Sequence, residues 1–404
     1  MARRRGTWTA WVCRPLVLAA GVLMGMGAAS AAAEGHSAEV PIAYLAQAVE
    51  RPPALSNLDW LTPADDDGLQ GARLGIGDNA TTGRFTKQTF VLDEKMVAAD
   101  GDVVAAVRDL HASGHRYLVV NVGAEALDTI LAMPEAETML IFNAGAPDDR
   151  FRTAECRAFV LHTLPSRAML ADALAQYLVK KNWKRWFLAT GTQPEDVLFA
   201  EAVRRAGKRF GGEIVVEKRW TFDHDIRRMA QEEMPLFSQV DDYDVLIVAD
   251  EVGLFGEYLM YRTWRPRLVA GTQGLVPSAW DRTMEQWGAV QLQNRFAAKA
   301  GRGMSAKDYA AWAAVRSIGE AATRTGSTDF ETVKTYISSD AFELAGFKGR
   351  KLSYRPWSGQ LRQPIPVTTA RAIVTLSPQE GFLHPRTELD TLGYDAPETV
   401  CERN

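Results

Sequence analysis

Short apolar stretches alternate with amphipathic helical stretches along this chain, and the alternation runs twice. In the first run, VPIAYLA at 40–46 reads as a strand and a Pro-rich polar loop covers 51–67. A helix over 68–83 and a strand at 90–92 follow. The next helix, 101–113, places Val103, Val104, Val107 and Leu110 at helical spacing and ends at Gly114. YLVV at 117–120 is a buried strand, 124–133 a helix stopped by Pro134, and MLIF at 139–142 another strand. The rhythm restarts with a short strand at 159–161 and a helix to 181 capped by Ser166. WFLA at 186–189, a helix at 195–210, a strand at 214–220, VLIVA at 245–249 and a strand at 268–271 complete it. Apolar strands connected through helices imply parallel sheets covered on both faces. Beyond them, helices at 305–325 and 330–337 and strands at 352–354, 365–367 and 372–376 are expected, with a turn at Ser358-Gly359.

With 404 residues the chain exceeds one ordinary core, so two domains are expected. Hydrophobic residues make up 47% and charged residues 24%, the mix of a globular protein. The first 33 residues differ from the rest. Arg3, Arg4 and Arg5 precede an uncharged apolar run at 16–27, and small residues at 29–33 offer cleavage sites between Ala31 and Ala33. That order is expected of a secretory signal peptide; the run is short for a membrane span, which needs about 20 apolar residues. Its removal takes four arginines from 46 basic residues, leaving 42 against 50 acidic, a net of −8. Such a chain has no electrostatic reason to seek nucleic acid or an anionic membrane surface.

After cleavage two cysteines remain, Cys156 and Cys401. An even pair in an oxidising compartment is a disulfide candidate, with two buried thiols as the alternative. The chain holds no phosphate-loop motif, no nucleophile elbow and no HExxH. The GARLGIG stretch at 71–77 does not follow a strand as a dinucleotide fingerprint would. His111 and His115 straddle Gly114 and read as a surface helix end. Asp65-Asp66-Asp67 reads as acids at a helix N-terminus rather than a calcium loop. No pair of residues stands as acid, base or nucleophile, so the expectation is a non-enzyme without cofactor or metal.

Four stretches carry a family resemblance: 40–58 (VPIAYLAQAVERPPALSNL), 68–85 (GLQGARLGIGDNATTGRF), 156–181 (CRAFVLHTLPSRAMLADALAQYLVKK) and 309–338. The chain resembles the type I periplasmic solute-binding proteins of the leucine/isoleucine/valine-binding kind. More narrowly it resembles those associated with PQQ-dependent alcohol dehydrogenase systems. The resemblance implies two Rossmann-like α/β lobes with parallel sheets, joined by three crossover strands and closing over a ligand by a hinge. The expected layout is lobe 1 at 34–158 plus 290–352, lobe 2 at 159–289 plus 353–397, and a tail at 398–404. It implies a periplasmic monomer that binds a small molecule and passes it to an ABC-type permease. A quinoprotein dehydrogenase is a further expected partner. A ligand-sensing or dehydrogenase-assembly role is the alternative.

Ligands of such sheets lie beyond the carboxyl ends of the strands. That rule selects Tyr44, Gln47, Asn121, Gly123, Glu125 and Asn143 in the first lobe. In the second it selects Thr190, Gln193, Asp250, Glu251, Thr272 and Gln273. The loop after YLVV lacks the hydroxyls with which amino-acid binders of this family hold a carboxylate. Asp250 or Glu251 suits a cationic or hydroxyl-bearing ligand instead. Of the 11 tryptophans, Trp183, Trp186, Trp220, Trp264, Trp280 and Trp287 fall in the second lobe, where some can wall the cleft. The resemblance also sets Cys156 near the first crossover and Cys401 after the last segment. A bond between them is expected to pin the tail near the hinge.

Overall fold

The computed structural model describes residues 38–49, 64–221 and 226–401, with backbone alone for 226–229. The expected signal peptide at 1–33 and most of the loop at 51–67 lie outside the described residues. The first sheet takes β1 (Ala38–Gln47), β2 (Gln88–Val97), β3 (Tyr117–Asn121), β4 (Leu140–Asn143) and β5 (Val160–His162). Helices α1 (Leu69–Thr86), α2 (Val103–Ala112), α3 (Ala124–Leu131) and α4 (Arg150–Thr153) connect them. The order is β2-β1-β3-β4-β5, all parallel. Every residue of β3 and β4 is buried, because helices cover both faces. Side chains alternate between two cores. Ile42, Tyr44, Val119 and Phe142 face one; Ala43, Leu45, Val120 and Ile141 face the other.

The second sheet is built the same way from β6 (Arg185–Thr190), β7 (Glu213–Arg219), β8 (Val245–Ala249) and β9 (Leu268–Gly271). Its helices are α5 (Arg167–Lys180), α6 (Pro194–Phe210), α7 (Ile226–Phe237) and α8 (Gly256–Leu259). The order is β7-β6-β8-β9, again parallel. Trp186, Leu188 and Ile247 face α5 and α6, while Phe187, Leu246 and Val248 pack on Trp220, Phe237 and Tyr243.

Three passages join the two halves. Leu164 belongs to the core of the first sheet and Met169 to that of the second, so the chain crosses between them. It returns past β10 (Val276–Pro277), between Leu275 and Ala279, into α9 (Ala289–Ala300), α10 (Ala306–Thr325) and α11 (Phe330–Ile337). Strands β11 (Leu344–Ala345), β12 (Lys351–Tyr354) and β13 (Leu361–Arg362) follow. The last crossing lies between Leu361 and Ile365 and leads to β14 (Ile365–Thr368) and β15 (Ile373–Ser377). The passages are stitched together. His162 N–H donates to Gly359 O at 2.8 Å and Gln363 Nε2 to Thr163 O at 2.9 Å. Ser278 N–H donates to Pro366 O at 2.9 Å.

Two longer helices, α7 and α9, escaped the sequence reading, as did the single turns α4 and α8. Pro235 inside α7 is a break signal that tertiary packing overrides. Helix α9 begins and ends at glycines and buries only Ala289, Leu292 and Phe296. Two of the three glycines of the GARLGIG stretch, Gly71 and Gly75, have a packing purpose. A Cβ at Gly71 would fall 1.8 Å from Asp308 O, and one at Gly75 2.9 Å from the Val315 side chain. Helices α1 and α10 therefore touch nearly backbone to backbone.

Candidate functional site

On the first sheet, burial holds the Tyr44 phenol far above its ordinary pKa, so it stays a neutral hydrogen-bonding group. Asn121 Nδ2 donates to Tyr44 Oη at 3.1 Å and to Asp67 O at 2.7 Å. Tyr44 Oη donates to the same carbonyl at 3.4 Å. The pair thus anchors the segment that enters α1. Beside it, Asp66 pairs with Arg302 at 2.9 Å, and the Ser305 hydroxyl donates to Asp67, whose carboxyl burial pushes upward. Gly68 N–H donates to Asp308 Oδ1 at 2.9 Å. The acidic run therefore does not sit on its own helix dipole, as the sequence suggested. It welds α1 to the start of α10.

Gln47 donates to Ala99 O at 3.1 Å, closing the turn after β2. Asn143 is fully buried and folds its own turn: Oδ1 accepts the N–H groups of Gly145 and Ala146, and Nδ2 donates to Ala146 O at 2.8 Å. Gly123 and Glu125 lie exposed at the start of α3, which has no side-chain cap.

On the second sheet, Thr190 ends β6 on the face shared by Trp186 and Leu188. Its hydroxyl is buried without a partner. Gln193 caps α6 reciprocally with Asp196. Asp196, raised by burial, also accepts the Glu251 N–H at 2.7 Å. The Asp250 carboxylate accepts four backbone N–H groups, from Gly253 to Gly256, at 2.6–3.2 Å. Thr272 Oγ1 accepts the Asp250 N–H at 3.1 Å and donates to Val248 O at 3.2 Å. Gln273 rests beside Gly256.

One ion-pair bridge joins the two rims, and half of it went unread in the sequence. Arg167, 3% exposed, forks onto Glu251 through Nε (2.8 Å) and Nη2 (2.7 Å). Its Nη1 lies 3.0 Å from Asp148 Oδ2, on the loop after β4. Burial works against the guanidinium charge, and the two carboxylates more than offset it, so Arg167 stays above the ordinary arginine value. Burial raises the Glu251 carboxyl while Arg167 pulls it down. A signal for Arg167 existed: a cation at the first turn of a helix opposes the helix dipole and needs a compensating acid. Below the bridge, Arg152 donates to Ala146 O, Asp148 O and Leu164 O, and its Nε donates to Gln360 Oε1 at 2.9 Å. Burial pulls its pKa down to about 10.

The structure thus gathers Tyr44 with Asn121, and Gln193, Asp250, Glu251 and Thr272 through Asp196 and shared backbone bonds. Gln47 and Asn143 are occupied by their own turns. Among the described residues no group of three or more His, Cys, Asp or Glu is placed to hold a metal ion. A cavity of about 760 Å³ lies elsewhere, between residues 282–287 and 370–376. Cys156 and Cys401 form a disulfide with Cα atoms 5.7 Å apart.

No protein-family model matches the chain, and no curated protein matches it in sequence. Solved structures match it in fold. A branched-chain amino acid ABC transporter periplasmic ligand-binding protein from Burkholderia xenovorans is similar at 17% identity and TM-score 0.66, over 90% of this chain and 99% of that one. A leucine-, isoleucine-, valine-, threonine- and alanine-binding protein from Brucella ovis, in its closed conformation, gives 14% and 0.65 over 90% and 100%. An ABC transporter solute-binding protein from R. palustris, in complex with benzoate, gives 11% and 0.60 over 85% and 98%. The fold is therefore that of the two-lobed type I periplasmic binding proteins, as the sequence resemblance implied.

Proposed function

We propose that this chain is an exported solute-binding protein that captures a small molecule between its lobes and hands it to an ABC-type permease. What supports this most is the fold likeness over nearly whole chains, combined with strand ends of both sheets converging on the Asp148–Arg167–Glu251 bridge. Binding, not chemical conversion, is the activity. The acids that the sequence offered to a cationic ligand are committed to protein partners: Asp250 to backbone N–H groups and Glu251 to Arg167. That leaves the unpartnered Thr190 hydroxyl and backbone groups at the strand ends to hold the ligand, which suits a neutral or weakly polar molecule. The resemblance to proteins of PQQ-dependent alcohol oxidation supports a narrower reading, in which that molecule is an alcohol or its oxidation product.

Native mass spectrometry of the exported protein, followed by thermal-shift titration with alcohols, aldehydes, carboxylates, amino acids and PQQ, tests the reading. A ligand at 100 times its Kd adds about 2.7 kcal/mol of stability. A saturable shift with one chemical class, the compound being recovered unchanged, is expected. No co-purified compound and no shift, alongside a stable complex with a quinoprotein dehydrogenase, would replace binding with an assembly role.

A further inference from the structure

Residues 390–401 touch the last crossover, the second lobe and the first lobe in turn. Asp390 Oδ1 accepts Nε of both Arg355 and Arg362, at 2.8 Å each. Gly393 N–H donates to Asp172 Oδ2 on α5 at 2.8 Å. Gly393 O accepts from Arg205 (3.1 Å) and Arg209 (2.7 Å) on α6. The Tyr394 ring lies 4.0 Å from the Arg205 guanidinium carbon, and Glu398 accepts from Arg205 at 3.0 Å. Arg355 precedes the last crossing and Arg362 lies at it, whereas from Gly393 to Glu398 the anchors named are all on α5 and α6 of the second lobe.

The last anchors are on the first lobe. Thr399 Oγ1 donates to Thr153 O on α4 at 2.9 Å, and Cys401 bonds to Cys156 just beyond that helix. Helix α4 moves with the first lobe: Phe151 is buried in its core, and Arg150 reaches Asp128 on α3 at 2.8 Å.

We infer that this C-terminal segment is a strap across the hinge, and that the Cys156–Cys401 bond is its clasp, narrowing the range of angles the lobes can adopt. Cys401 is only three positions beyond Glu398. The fully extended reach between them is about 11 Å, so the α6 and α4 anchors cannot separate further while both hold. A single hydroxyl bond of about 1 kcal/mol cannot enforce that limit, whereas a covalent bond can. The clasp is also reversible. A dithiol reductant supplies two electrons and two protons, its thiolate attacks the half-exposed Cys401 sulfur, and Cys156 leaves as a thiol. The reductant then closes to its own disulfide. Lobe mobility in this protein therefore depends on the redox state of its compartment.

Spin probes on non-canonical residues at Arg108 on α2 and Glu201 on α6, both exposed, read the interlobe distance distribution in the ligand-free protein. Dithiol treatment is expected to widen the distribution roughly twofold as the reach limit of about 11 Å is lost, and re-oxidation to restore it. The double variant Cys156→Ser/Cys401→Ser is expected to match the reduced protein. With the bond intact, Glu398→Ala lengthens the free strap from three positions to the seven from Tyr394 to Cys401, and is also expected to widen the distribution. A width unchanged by reduction and by Glu398→Ala, with only a lower melting temperature, overturns the strap and leaves the bond as a stabiliser.

Discussion

Arg167 is a buried charge that two carboxylates must balance. Its guanidinium is buried between two carboxylates from different rims. Removing one partner of a buried pair costs about 3–5 kcal/mol, because the remaining charge is stranded. Arg167→Met is therefore expected to lower the unfolding free energy measured in urea by that amount, and Arg167→Lys by less, since lysine keeps the charge between the carboxylates and loses only the fork. Lys348 presents the opposite case. It is fully buried with no carboxylate partner among the described residues: Nζ donates to Gln363 Oε1 at 2.5 Å and Pro364 O at 3.2 Å, and lies 4.3 Å from the Tyr309 ring centre. Burial pulls its pKa well below the usual lysine value. Between that lowered pKa and the unfolded value of about 10.4, the unfolded chain binds more protons, so this group's contribution to stability rises with pH. Urea titrations at pH 7 and pH 9 should show that slope in the native protein and a flatter one in Lys348→Met. Equal slopes would mean Lys348 keeps its proton throughout.

At the scale of elements, the helices follow their local signals closely. Ser166 caps α5 and Ser305 caps α10 with Asp308 in a reciprocal box. Packing decided the rest. Gly71 has no left-handed backbone to justify it; it is glycine because Asp308 O occupies the space of a Cβ. Alanine there gains up to about 1 kcal/mol of helix propensity but forces α1 from α10. Overpacking of this kind costs about 1–3 kcal/mol. Gly71→Ala is expected to destabilise, and a thermal midpoint at or above the parent's would show that the helices can shift freely. Helix α7 shows the limit of local reading, since Pro235 argued against it and the core made by Met234, Phe237 and Tyr243 retained it.

For the whole molecule, the disulfide closes a loop with a sequence separation of 245. In the loop-entropy model a closure of that size stabilises by roughly 5 kcal/mol. The double variant Cys156→Ser/Cys401→Ser should lose several degrees of melting temperature whether or not the strap limits the lobes. The same comparison carried out with reductant separates chain entropy from packing, because reduction keeps every other atom in place. A melting temperature insensitive to both treatments would mean that the noncovalent anchors from Asp390 to Thr399 hold the tail unaided.

Periodicity along the chain determined most strands, most helices, the parallel sheets and their doubling, because those patterns arise between neighbours two to four residues apart. Counting cysteines made Cys156 and Cys401 a candidate pair, and the structure bonds them. The tertiary structure alone decided that Arg167 meets Glu251, 84 positions away, that Asp66 and Asp67 tie α1 to the start of α10, and that Lys348 is buried. It also decided that Asp250 turns its carboxylate onto backbone N–H groups. The reason is physical. The cost of a buried charge, and the partner that offsets it, depend on what folding brings within about 4 Å and on how much water folding removes. Neither quantity is a property of neighbours along the chain.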